Sequence, residues 1–267
     1  MSMKRRDFLK VVGLSAAMTL GGKAAFGLFA PGEAEASIEK LPLVKGNKYG
    51  MVVDTAKMTG KVLDACQSAC HRIHNVPDWG NPRIEIKWVW KDTFGHSFPG
   101  QEHDYFDEEF EEKNFLLLCN HCDNPACVRV CPTKATWKRE EDGVVMMDPH
   151  RCIGCRFCMA ACPFGARSFN WGDPRKAPQK LNPHFPTNPD YPTRMKGVVE
   201  KCNFCAERLA RGEFPACVEA ANELAGGALT FGDLADPHSD VRELLRENYV
   251  IRRKPELGTA PNIYYIV

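Results

Sequence analysis

Apolar and polar residues alternate along this chain only in short runs. Residues 83–90, RIEIKWVW, alternate charged and apolar side chains before an aromatic end and predict a strand with one buried face. NFLLLCN (114–120) and GVVMMD (143–148) are denser apolar runs, and each predicts a short strand leading into a cysteine-bearing loop. CVRVCP (127–132) and CAERLARG (205–212) predict short helices, SDVRELLREN (239–248) has the period of an amphipathic helix, and APNIYYIV (260–267) ends as an extended strand or arm. FDEEFEE (106–112) reads as a solvated helical turn, with a docking face for a basic partner as its rival. Residues 174–192 contain six prolines and read as a long surface connector, against the alternative of a docking loop.

The first 36 residues carry a different pattern. KRRDFLK (4–10) precedes a modestly apolar run interrupted by Gly21, Gly22 and Lys23, and AEA at 34–36 supplies a small-x-small cleavage pattern. Residues 1–36 therefore resemble a twin-arginine export signal, which carries proteins already folded and loaded with cofactor. That places the remainder on the periplasmic or extracytoplasmic face of the cytoplasmic membrane. An uncleaved anchor helix is the competing reading, since the run is about long enough to span.

Composition narrows the chemistry. With 35 basic and 34 acidic residues in 267, net charge +1, the chain has no electrostatic pull toward nucleic acid. The 19 prolines and 21 glycines indicate much loop-built structure. Thirteen cysteines, an odd number in tight clusters, argue against a disulfide framework. In an exported chain, such clusters require a metal.

The cysteines fall in four stretches that form a degenerate internal repeat: GKVLDACQSACHRIHN with Cys66 and Cys70, CNHCDNPACVRVCP with Cys119, Cys122, Cys127 and Cys131, CIGCRFCMAACP with Cys152, Cys155, Cys158 and Cys162, and KCNFCAERLARGEFPACVEA with Cys202, Cys205 and Cys217. The third has the intervals of the bacterial ferredoxin run, ending in Cys-Pro. Three thiolates of such a run face one cubane, and the fourth, carried round an emerging helix, reaches the neighbouring cubane. Gly154 lets the backbone wrap closely, and Pro163 suits a helix start. The second stretch repeats the device. Two [4Fe–4S] clusters follow: Cys119/Cys122/Cys127/Cys162 and Cys131/Cys152/Cys155/Cys158. Zinc is the rival for any C-x-x-C pair but has no use for four cysteines in one short run. CQSACH also resembles a c-type haem attachment, with one residue too many between its cysteines. His71, His74 and His121 read as polar caps or surface residues near clusters.

At this point the chain resembles the four-cluster ferredoxin subunits of the DMSO-reductase/polysulfide-reductase class, over nearly all of the presumed mature sequence. KCNFCAERLARGEFPACVEA, GALTFGDLADPHSDVRELL and PELGTAPNIYYIV carry the resemblance. Within that class it is most similar to the DsrO-like branch, exported subunits of DsrMKJOP-type, sulfite-reduction-associated membrane complexes. The resemblance implies an α+β, loop-rich fold of duplicated ferredoxin-like modules, the second inserted in the first. Residues 37–118 and 198–236 would form the first module and 119–170 the second, with 171–197 a Pro-rich loop and 237–267 a C-terminal helix and arm. The family has sixteen ligand places, the first motif sharing its clusters with the fourth. Three of those places are held here by Gly60, Leu63 and Ala221, and all three belong to one cluster. The resemblance thus implies that this cluster was lost as a unit, that Cys70/Cys202/Cys205/Cys217 hold a third [4Fe–4S] cluster, and that Cys66 is an orphan thiol.

Nothing in the sequence resembles a substrate site: there is no catalytic triad, phosphate loop or dinucleotide fingerprint. The expected activity is relay of single electrons through three [4Fe–4S] clusters, with no catalytic residues. The resemblance implies an NrfD/DsrP-like integral-membrane, quinone-reactive partner and a multihaem cytochrome c at the other end. A subunit of a molybdopterin oxidoreductase, and a redox sensor or scaffold, are the alternatives.

Overall fold

The two ends of the described chain meet in one sheet. The computed structural model describes residues 47–267 except 102, 104, 106 and 107. The expected export signal, 1–36, and the first two residues of FDEEFEE lie outside them. Tyr49–Asp54 (β1) opens the chain as YGMVVD, buried along most of its length. Gly60–His74 (α1) follows, then Val89–Thr93 (β2), Phe94–Ser97 (α2), Glu108–Glu112 (α3) and Asn114–Leu118 (β3). The cysteine-rich middle carries Ala126–Arg129 (α4), Thr136–Lys138 (β4), Val145–Met147 (β5), Phe157–Ala160 (α5) and Ser168–Phe169 (β6). Val199–Glu200 (β7), Ala206–Leu209 (α6), Ala216–Leu224 (α7), Leu229–Asp233 (β8), Asp240–Glu247 (α8), Val250–Ile251 (β9) and Ile263–Ile266 (β10) complete it.

The sheet order is β8-β1-β10-β9. Met51 sits opposite Ile263 in a parallel pairing and opposite Phe231 in an antiparallel one. The other strands form three two-stranded ladders, β2-β3, β4-β5 and β6-β7. These ladders punctuate the cysteine loops. β3 runs into Cys119, β4-β5 separates the second stretch from the third, and β7 delivers the chain to Cys202. Among the described residues no helix is long and apolar enough to cross a membrane.

Helix α1 buries Val62, Leu63, Cys66, Ala69 and Cys70, at helical spacing, and packs along α7, which buries Ala216, Cys217, Val218 and Ala221. It stops at Asn75, whose φ of 49° is left-handed and whose N–H bonds His71 O. Helix α8 starts at Ser239, whose side chain accepts from Arg242 N.

Three expectations change. RIEIKWVW is a strand only from Val89, because Pro82–Ile84 turns as a 3-10 helix capped by Asn81. Ile86 and Trp88 are buried all the same. Pro163 begins a turn, with Cys162 held by Met159 O, and no helix follows. The proline-rich segment 171–197 is a strap tied to the end of α1. Asn182 Nδ2 donates to Arg72 O at 3.0 Å and to Asn75 Oδ1 at 2.7 Å, and Asn75 Nδ2 donates to Asn188 O and Tyr191 O, both at 2.8 Å. Asn188 returns a bond to Ile73 O at 2.7 Å. Arg194, 5% exposed, donates to the His74 and Asn75 carbonyls and pairs with buried Glu200 at 2.7 Å.

Candidate metal centre

Three cysteine loops share one backbone turn. In the first C-x-x-C of each loop the residue before the second cysteine is left-handed: His121 (φ 41°), Gly154 (φ 70°) and Phe204 (φ 56°). This curls the loop so that its cysteines converge and N–H groups turn toward sulfur, as Phe204 N does toward Cys202 Sγ at 3.4 Å. At Gly154 the turn also demands the absence of a side chain, since a Cβ there would lie 2.3 Å from Gly197 O. The first stretch has no such turn. Residues 60–74 run as one unbroken helix, with Gly60 at its exposed N-terminus and Leu63 packed in the core.

The thiols gather in three neighbourhoods. Burial pushes the Cys70 thiol well above its ordinary range, and Cys205, Cys202 and Cys217 push it further. Burial raises Cys122 to about 12, with Cys119, Cys162 and Cys127 adding to it. Cys131, Cys152, Cys155 and Cys158 line one small hollow with Ile153 and Gly154. The groups follow one another. His121 of the Cys119–Cys122 loop stacks on Phe204 of the Cys202–Cys205 loop, and Arg167 joins Cys127 to Thr136, which lines the Cys131 hollow, so the Cys119 group lies in the middle. Exposure rises along this order: the Cys70 group is fully buried, and Cys155 at the far end is exposed.

The surroundings fit anionic clusters. Arg167 is 4% exposed, and its Nη2 donates to Cys127 Sγ at 3.1 Å and Thr136 Oγ1 at 2.7 Å. Lys201 is 2% exposed, and its Nζ donates to Cys202 O. Neither makes an ion pair among the described residues. A buried cation without a counter-charge is strongly disfavoured, and a thiolate-ligated [4Fe–4S] cluster supplies one. Asn120, next to Cys119, keeps both its amide nitrogen and oxygen buried without a partner. The amide N–H donors are what a sulfide-bearing cluster would satisfy, since sulfide accepts hydrogen bonds.

Cys66 stands apart. Its Sγ donates to Cys217 O at 3.4 Å, and burial holds the thiol neutral, up to about 12. With Leu63 and Ala221 it belongs to the apolar core between α1 and α7.

Of the two readings of the histidines, polar caps or surface residues near clusters, burial removes the second for His74 and His121. His74 is buried, with Nδ1 2.9 Å from Cys70 O and Nε2 2.8 Å from Glu207, and it stacks on Trp88 at 4.3 Å. His74, Cys205 and Glu207 cluster closely, but both ring nitrogens are already engaged and Cys205 belongs to the Cys70 group. His121 is also buried. Its Nδ1 accepts from Val145 N at 3.1 Å and its ring stacks on Phe204 at 3.7 Å, joining the equivalent turns of two loops. Burial drives its pKa well below the usual value. His71 is half-buried and pushed down to about 4, mainly by burial. Sequence reasoning missed Arg167, Lys201, Trp88, Arg194 and Glu200. The one signal was their adjacency to cysteine loops or to apolar runs.

Residues 113–180 match the 4Fe-4S dicluster domain family. The chain is 38% identical over 288 aligned positions to an Hdr-like menaquinol oxidoreductase iron–sulfur subunit 1 of Archaeoglobus fulgidus, covering 98% of this chain and 97% of the relative. This chain belongs to the family of iron–sulfur electron-transfer subunits of menaquinol oxidoreductase, NrfC and DMSO reductase type. It is 37% identical to the menaquinone reductase iron–sulfur cluster-binding subunit of Nitratidesulfovibrio vulgaris, over 82% of this chain and 88% of that one. It is 33% identical to Escherichia coli NrfC over 100% of this chain and 96% of NrfC. As a member of that family the chain carries [4Fe–4S] clusters and serves electron transfer.

Proposed function

We propose that this chain is an exported subunit that relays single electrons through three [4Fe–4S] clusters, between a quinone-reactive NrfD/DsrP-like membrane subunit and a multihaem cytochrome, in a sulfur-metabolism complex of the DsrO-like type. The ligand sets are Cys70/Cys202/Cys205/Cys217, Cys119/Cys122/Cys127/Cys162 and Cys131/Cys152/Cys155/Cys158. The observation that carries the reading is the gathering of the thiols into three neighbourhoods behind three equivalent left-handed turns. Bound there, the clusters would exchange one electron at a time with little rearrangement. The protein's part is to hold the thiols, exclude water from the inner end and leave the outer end approachable.

The membrane-facing end is the Cys131 group. Exposed Cys155 is flanked along the chain by Ile153, 66% exposed, and Phe157, 59% exposed, and the exposed Arg156 beside it lies over the exposed Trp171 ring at 4.8 Å. An apolar rim around the most accessible group suits a partner embedded in lipid. Relatives named for menaquinol and menaquinone oxidoreductases support a quinone-linked assembly. The fold is read as two ferredoxin-like modules, one inserted in the other, and residues 1–36 as the export signal.

The molybdopterin alternative uses a fourth cluster as its contact. Here the unbroken α1 and the apolar packing of Leu63, Cys66 and Ala221 occupy that place. Iron and acid-labile sulfide analysis of the purified complex tests the proposal: about twelve irons per chain, four for each cluster, with a multihaem cytochrome and no molybdopterin subunit. Eight irons per chain, or a molybdopterin partner, contradicts it.

A further inference from the structure

Three buried cations lack an ion pair among the described residues, Arg167, Lys201 and Arg253; Arg253 donates to the Ser97 and Phe164 carbonyls, whereas the other two bond a cysteine directly, Arg167 at Cys127 Sγ and Lys201 at Cys202 O. We propose that Arg167 and Lys201 are potential-setting residues, one at each gap between neighbouring cysteine groups. This rests on the three-cluster reading above.

Arg167 lies between the middle and outer groups. Its guanidinium donates to Cys127 Sγ of the middle group at 3.1 Å, and its charge acts on Cys127, Cys158 and Cys119, thiols drawn from both groups. Lys201 lies between the inner and middle groups. It precedes Cys202, and its Nζ donates to Cys202 O in the loop whose Phe204 meets the Cys119–Cys122 loop. That contact is the stacking of His121 on Phe204. Both side chains are almost fully buried, and among the described residues neither has a carboxylate partner. Carboxylates were available to this fold as partners for buried cations: Arg194, equally buried, has Glu200.

The consequence follows from charge alone. A thiolate-ligated [4Fe–4S] cluster is anionic and becomes more negative by one unit when it takes up an electron. A fixed cation in a low-dielectric gap therefore stabilises the reduced form more than the oxidised form. Each cation raises the potentials of the two clusters that flank it. The middle cluster feels both, and each outer cluster feels one.

The test is a potentiometric titration of the purified complex followed by EPR, with centres identified by the signal that disappears in Cys70→Ala and Cys155→Ala variants. Arg167→Gln keeps hydrogen-bonding capacity but removes the charge. It is expected to lower the midpoints of the Cys119 and Cys131 centres and leave the Cys70 centre in place. Lys201→Gln is expected to lower the Cys70 and Cys119 centres and leave the Cys131 centre. The expected size is at least a tenfold loss of the reduced to oxidised ratio at the native midpoint, about 59 mV for a one-electron couple. Arg167→Lys and Lys201→Arg are expected to stay near native midpoints.

The proposal is overturned if the neutral variants move no midpoint, if they move all three alike, or if the charge-keeping variants shift as far as the neutral ones. Should a neutral variant lose a cluster, its charge-keeping counterpart decides: intact clusters at native midpoints support the proposal, and lost clusters or shifted midpoints overturn it. Iron analysis keeps the two readings apart. Eight irons in the native chain sinks the three-cluster reading, whereas about twelve irons with midpoints indifferent to both substitutions sinks this one.

Discussion

Removing the Glu200 carboxylate should release the strap that covers the end of α1. Glu200 is 3% exposed and accepts from Arg194 at 2.7 Å, from Trp88 Nε1 at 2.9 Å and from Asn170 Nδ2 at 2.5 Å. Glu200→Ala strands the Arg194 guanidinium, and breaking a buried pair from one side costs about 3–5 kcal/mol. At roughly 1.4 kcal/mol per tenfold, the lower figure makes local opening about 100-fold more frequent. Amide hydrogen exchange reads this directly. The Asn188 amide, which donates to Asn75 Oδ1 at 2.8 Å, should exchange about 100-fold faster, while Val52 and Leu229 in the four-stranded sheet keep their protection. The effect should also depend on pH. Burial pushes the Glu200 carboxyl up, but Arg194, Asn170 and Trp88 outweigh it and hold the group below its ordinary 4.5. A depressed carboxyl contributes stability that is fully present above 4.5 and is lost as pH falls through the lower, folded-state value. Native and variant straps should thus differ most at neutral pH and converge in acid. Equal exchange of Asn188 in the two proteins at pH 7 would refute the assignment of the pair as the strap's anchor.

Three further outcomes follow from the site. Cys66→Ala should leave iron content unchanged and lower the thermal inactivation midpoint by roughly 2–4 °C, the effect of about 1 kcal/mol of lost packing. Gly154→Ala places a Cβ 2.3 Å from Gly197 O at a left-handed residue, and iron analysis should show selective loss of the Cys131 centre. Phe157→Ser, a neutral change on an exposed rim residue, should leave iron content as it is while reducing co-purification with the membrane subunit.

How much of this was legible beforehand depends on how local each feature is. The second and third cysteine stretches carry their geometry in their spacing, because the left-handed turns at His121 and Gly154 span only a few residues. Helix α8 and strand β10 were visible in their periodicity, which tertiary context left intact. RIEIKWVW misled because Pro82 and Asn81 set a local turn that overrides alternation. The strap could not be read at all. Asn75, Asn182 and Asn188 meet across more than a hundred residues, and lone asparagines in a proline-rich segment carry no periodic signal. The same holds for the stacking of His121 on Phe204 and for the isolation of Arg167, which only a folded chain reveals. That residues 60–74, with Gly60 and Leu63, form one continuous helix packed on α7 beside Ala221 could not be read from the spacing of the cysteines.

The most direct measurement is the iron and acid-labile sulfide content of the native complex beside its Cys70→Ala variant. The account predicts about twelve irons per chain falling to about eight, with the two remaining centres spectroscopically unchanged. A native value of eight, or a variant that still holds twelve, would contradict it.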